Sequence, residues 1–242
     1  MPRSIGLLQS VPSPLLCEML GHAGYDFVLL DLEHLLVSPD QLQHAIRACE
    51  LGGCGPWVRV PEVDEKLIGR VLDAGARGVV IPCLETVEQA EHAVAAARFP
   101  PLGRRGITGG RVTGFGKTPL PDYIEQANRD ILVVPMIETD AGVRALPRIL
   151  AVPGISLVME GALDLALDLG LGPQPLHAEV WQRLLRIAEC CDEAGIPFCP
   201  NPRNDEQLRH WARREVRWML AGEDRGLLLA ALRERASALR EP

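Results

Sequence analysis

Aromatic residues make up only 4% of this chain, so aliphatic side chains have to fill its core. No uninterrupted apolar run of about 18 residues occurs, and no membrane span is expected. The seven cysteines are odd in number and none are spaced as CxxC. Neither a disulfide framework nor a zinc knuckle is therefore expected, and reduced thiols in a cytoplasmic protein are the plain reading. Excess positive charge is missing too: the net charge of -7 disfavours a general nucleic-acid binder. The first strand–helix junction has no GxGxxG, which argues against an open dinucleotide-binding sheet. The opening Met1-Pro2-Arg3-Ser4-Ile5 has no signal-peptide layout.

What is present is enough for one large α/β domain: 242 residues, 47% of them hydrophobic. Apolar runs of strand length alternate with amphipathic helical stretches from end to end. Strands are expected at Ile5–Ser10, Phe27–Asp31, Pro56–Val60, Gly78–Pro82, Ile131–Ile137, Ser156–Met159, Pro197–Cys199 and Arg217–Leu220. Ser38, with Pro39 after it, and Asp64 and Thr86 read as helix N-caps. The stretch from Pro100 to Pro121 is rich in Gly and Arg, long enough to be functional or disordered. Eight alternating units without an internal domain boundary make a single (β/α)₈ TIM barrel the economical topology, with an open doubly wound sheet as runner-up.

A barrel gathers its strand C-termini at one mouth. In Phe27-Val28-Leu29-Leu30-Asp31-Leu32-Glu33-His34, four apolar residues run straight into three polar groups that are costly to bury unpaired. The third strand adds Arg59, the fifth Glu138, and the sixth Glu160, Gly161 and Asp164. Glu138 and Asp164 suit a hard divalent cation such as Mg²⁺, with Mn²⁺ or Ca²⁺ also fitting. Arg59 can donate to a keto or carboxylate oxygen in fixed fork geometry. The free N–H groups of Gly161-Ala162, leading into a helical turn, can hold a carboxylate. His34 is the natural proton shuttle at neutral pH. Each residue also has a plainer role. Glu138 and Asp164 can cap the helices that follow them, Arg59 can form a surface ion pair, and the Arg-rich loop can be solvated.

Several segments resemble the HpcH/HpaI class II aldolases, and the resemblance runs in order along nearly the whole chain. They are Asp31-Leu32-Glu33-His34, Val58-Arg59-Val60-Pro61, Leu72-Asp73-Ala74-Gly75-Ala76, Arg98-Phe99-Pro100-Pro101-Leu102-Gly103, Pro135-Met136-Ile137-Glu138-Thr139 and Gly161-Ala162-Leu163-Asp164-Leu165. The resemblance implies a barrel of the phosphoenolpyruvate/pyruvate type whose last helix is swapped between subunits, in hexamers built as dimers of trimers. It also implies a divalent metal on Glu138 and Asp164, a chelating 2-keto acid, Arg59 on the keto oxygen, and His34 with Asp73 as the proton-handling pair. Arg111 stands where the resemblance implies an arginine near the distal end of the substrate.

Other features are similar to a subgroup of the family, the citrate synthases of staphyloferrin B-type siderophore clusters. Ala162 and Ala166 stand where aldolases usually have Pro and Ser, Glu160 is acidic where an apolar residue is common, and the loop from Gly109 to Leu120 is distinctive. This implies condensation of oxaloacetate with acetyl-CoA, the second carboxylate meeting Arg111 or Arg105. The alternative is a pyruvate-dependent aldolase cleaving 4-hydroxy-2-keto acids. A keto-acid or metal sensor without turnover is a third reading.

Overall fold

The computed structural model describes residues 3–240; Met1 and Pro2, part of the N-terminal reading above, lie outside them. The strands are β1 (Ser4–Gln9), β2 (Phe27–Asp31), β3 (Gly55–Arg59), β4 (Gly78–Ile81), β5 (Leu132–Ile137), β6 (Val158–Glu160), β7 (Phe198–Cys199) and β8 (Trp218–Glu223). The helices are α1 (Pro14–His22), α2 (Pro39–Gly52), α3 (Glu65–Asp73), α4 (Val87–Ala97), α5 (Leu120–Asp130), α6 (Asp140–Ile149), α7 (Ala162–Asp168), α8 (Ala178–Ala194), α9 (Asp205–Arg213) and α10 (Asp224–Ala238). Side-chain caps start most of them. Ser38 accepts the Gln41 N–H, Asp64 those of Lys66 and Leu67, and Thr86 with Gln89 forms a reciprocal capping box.

The strands form one eight-stranded parallel sheet, ordered β7-β6-β5-β4-β3-β2-β1-β8. At the seam between β7 and β8 the tie is made just beyond β7, where the Leu220 N–H donates to Pro200 O at 2.9 Å. The result is the expected (β/α)₈ barrel. Alternation along the strands splits the core into two layers. Val28, Val58, Val79, Ile137 and Val158 pack outward under the helices. Leu29, Trp57, Val80, Met136 and Met159 fill the interior. Three aromatics plug the N-terminal end of the strands, where Phe27 stacks on Trp57 at 4.0 Å and Trp218 packs against both. A Cβ on Gly6 would sit 2.1 Å from the Phe27 ring, so this plug requires glycine there.

Two expected strand boundaries shift, and the last helix is left exposed. β6 starts at Val158 rather than Ser156, because the Ser156 hydroxyl serves as a hydrogen-bond anchor for the Val133 N–H and the Arg98 guanidinium. β8 continues past Leu220 to Glu223. α10 leaves its leucines in the open: Leu227, Leu228, Leu229 and Leu232 are 49%, 39%, 49% and 67% exposed. No helix among the described residues is long and apolar enough to cross a membrane.

Candidate active site

Register builds the mouth. Asp31 and Arg59 are direct partners in the β2–β3 ladder, and both point inward by alternation with Leu29 and Trp57. Asp31 grips the Arg59 fork on one edge, with Oδ1 3.0 Å from Nε and Oδ2 3.0 Å from Nη2. Glu33 Oε2 lies 3.0 Å from Nη1, and the Met136 sulfur accepts from the same nitrogen at 3.8 Å. Burial alone would lower the guanidinium pKa. The Asp31 hydrogen bond and the charges of Asp31, Glu33 and Glu138 outweigh it and leave the pKa raised. Arg59 is thus a buried, braced cation rather than a surface ion pair.

Glu138 ends the inward row of β5 and is buried. Thr139, not Glu138, caps α6. Glu138 Oε1 accepts the Cys83 N–H at 2.6 Å. Cys83, just past β4, sits in the left-handed region at φ 46. Desolvation chiefly, then the Glu33 and Asp164 charges, raise the Glu138 carboxyl to about 7 against the Cys83 hydrogen bond. Glu33 is raised as well, by burial first, with Asp31 and Asp164 adding and Arg59 and His34 opposing. Glu33 Oε2 is buried and receives no well-directed hydrogen bond. The ligand atoms of Glu33, Cys83 and Glu138 lie within 4.8 Å of one another. Burial and the neighbouring carboxylates push the Cys83 thiol up to about 12, so at neutral pH this set presents oxygens rather than a thiolate. Oxygen donors this close, on carboxylates whose charges raise one another's pKa, fit a hard divalent cation. His34 borders them at the rim, its side chain 60% exposed and its Nε2 3.6 Å from Glu33 Oε2.

Other expected residues are placed differently. The Gly161 and Ala162 N–H groups are both taken, the first by Ile137 O at 3.1 Å and the second by Glu160 Oε2 at 2.8 Å. The acidic residue at 160 folds back onto the turn, so these two amides are not open to a carboxylate. Gly161 instead makes room for the neighbouring strand end, since a Cβ there would lie 2.3 Å from Glu138 Oε2. Asp73, Arg105 and Arg111 are not brought to the mouth of their own barrel. Asp73 ends α3, a helix that runs back to the opposite end. It pairs with buried Arg105 at 2.7 Å, whose guanidinium stacks 4.6 Å over the Phe99 ring. Arg111 bonds to Glu50, at the end of α2, and to Ala74 O at 3.2 Å. The Gly- and Arg-rich stretch is thus tied to the base of the barrel.

Sequence reasoning placed Glu33 at the mouth but passed over Cys83 as a donor there. The strand-end rule that found Glu138 points to Cys83 as well, once β4 is treated like its neighbours.

The chain and its architecture have counterparts among known proteins. Residues 5–224 match the family model described as HpcH/HpaI aldolase/citrate lyase. The chain is 36% identical over 198 residues to a hydroxypyruvate/pyruvate aldolase of Paraburkholderia phytofirmans, covering 79% of this chain and 75% of that one. It is 32% identical over 241 residues to a 5-keto-4-deoxy-D-glucarate aldolase of Salmonella paratyphi A, covering 98% and 92%. Among solved structures, the citrate synthase SbnG superposes with a TM-score of 0.91 at 35% identity, covering 99% of this chain and 94% of that one. A barrel that places Arg59 and its carboxylates at one rim, matched over nearly its whole length, belongs to the HpcH/HpaI aldolase/citrate lyase family.

Proposed function

We propose that this mouth performs carbon–carbon bond chemistry at the carbonyl of a 2-oxo acid, and that its reaction joins oxaloacetate to acetyl-CoA to give citrate and CoA. The observation that carries the first part is the buried Arg59, braced by Asp31 and Glu33 beside Glu138. Its bracing keeps the guanidinium aimed at one spot, where it stabilises charge gathering on a carbonyl oxygen. Glu138 and Asp164, with Glu33 alongside, would hold a divalent cation such as Mg²⁺ or Mn²⁺. Such an ion, when bound, withdraws electrons from the same oxygen. His34 handles the proton at the rim. In the synthase it takes a proton from the acetyl methyl carbon, which then bonds to the keto carbon while the keto oxygen gains a proton. Water cleaves the thioester and releases CoA. The likeness to SbnG supports this choice of reaction, and the resemblance to siderophore-cluster synthases extends it to siderophore assembly.

The second reading is a lyase cleaving 4-hydroxy-2-keto acids to pyruvate and an aldehyde. The likeness to the two aldolases favours it. It uses the same Arg59 but removes a proton from the substrate's own hydroxyl. Arg105 and Arg111 do not favour the synthase within one chain, since both lie at the base. In either reading a His34–Asp73 pair joins two copies of the chain, in keeping with the hexamer the resemblance implies. A thiol-release assay separates the two. Free CoA appearing only when acetyl-CoA and oxaloacetate are both present is the expected result. Pyruvate release from hydroxy-keto acids without CoA release would overturn it in favour of the lyase.

A further inference from the structure

Glu160 ends β6 and is 3% exposed. Val158, two residues earlier, packs in the outer layer, so alternation turns Glu160 outward, behind the rim rather than into it. Every contact of its carboxylate ties a mouth loop. Oε2 accepts the Ala162 N–H at 2.8 Å. Oε1 accepts the Asn201 N–H at 2.9 Å and Arg203 Nη1 at 2.8 Å. Arg203 Nη1 also donates to Asn201 O at 2.8 Å, and Asn201 Oδ1 accepts the Gly222 N–H at 3.0 Å. One buried carboxylate therefore links the ends of β6, β7 and β8 across the seam of the barrel.

The turn it holds matters for the carboxylates. Gly161, the N-cap of α7, has no side chain to cap the helix, and Glu160 supplies the acceptor for its first N–H, that of Ala162. Gly161 backs directly onto Glu138, and Asp164 lies in the first turn of α7. A shift of this turn moves both. A buried ion pair is weak as a source of stability compared with apolar packing, and its better-attested use is to fix one arrangement.

We infer that Glu160 and Arg203 are positioning residues that set the spacing of Glu138 and Asp164 for a divalent cation. The inference rests on the metal-dependent reading above. Residues that orient metal ligands typically change affinity by about 10–100-fold when altered.

Calorimetric titration of the full chain with Mn²⁺ tests it, using Glu160→Gln, Arg203→Lys and a core variant on the far side of the barrel, Ile46→Ala. Glu160→Gln is expected to bind about 10–100-fold more weakly, and Arg203→Lys, which keeps the charge, about 3–10-fold more weakly. Ile46→Ala should lose thermal stability yet bind Mn²⁺ within about twofold of the unaltered chain. The inference is overturned if both clamp variants bind like the unaltered chain, or if Ile46→Ala is weakened as much as Glu160→Gln. Should Glu160→Gln fail to fold, Arg203→Lys decides. No binding by the unaltered chain would instead overturn the metal-dependent reading beneath it.

Discussion

Arg59 has both edges of its fork engaged by carboxylates, so its position is fixed before any substrate arrives. Lysine at this position keeps the charge but loses the fork, and leaves part of Asp31 unpaired. Arg59→Lys is expected to lower kcat/KM by about 100-fold with the fold intact, checked by steady-state kinetics alongside circular dichroism. A loss under about threefold would remove Arg59 from the reacting centre. Glu138 gives the second prediction. Its carboxyl sits at about 7 instead of 4.5, chiefly because it is buried. The pKa is raised on folding, so the protonated form supports the metal-free fold below about pH 4.5, and that support is lost as pH rises through about 7. A cation favours the ionised form, so binding runs the opposite way, tightening by up to about tenfold per unit up to pH 7 and then levelling. Mn²⁺ titrations between about pH 5.5 and 8 check this. A flat profile counts against Glu138 as a ligand.

At the scale of the element, the turn from β6 into α7 concentrates most of the constraint. Gly161→Ala places a Cβ 2.3 Å from Glu138 Oε2. The expected outcome is loss of Mn²⁺ binding by at least about tenfold and a destabilisation of about 1–3 kcal/mol, read by metal titration and thermal unfolding. Normal binding would show that the turn moves freely. Strand ends were the legible part of the site: apolar runs stopping at Asp31, Arg59 and Glu138 follow from burial on both faces of a parallel sheet. The Ala162 N–H was not legible. Its acceptor comes from Glu160, and only coordinates show which way a strand's last side chain turns. The placement of the long Arg-rich stretch was not legible for a related reason. Its spacing says nothing about which end of the barrel it covers, and Arg105 and Arg111 find their carboxylate partners at the base.

For the whole molecule, α10 is the element that stands apart. Asp224 is its buried residue, held by the Ser10 and Val11 N–H groups, while its leucines stand out from the barrel. An exposed apolar helix suits burial against another copy. Leu228→Lys combined with Leu232→Lys is expected to reduce particle size in light scattering while leaving the barrel's circular dichroism unchanged. An unchanged size would separate α10 from assembly. The sequence by itself determined the eightfold alternation, the aliphatic core and the carboxylate–arginine set, because hydrophobic period and strand-end position are local properties of the chain. Tertiary structure alone decided which side chains share the mouth. Asp73 and Glu138 were both candidates for one site, Asp73 through the family resemblance and Glu138 through its strand end. One ends a helix and the other a strand, and in a barrel those ends lie at opposite faces.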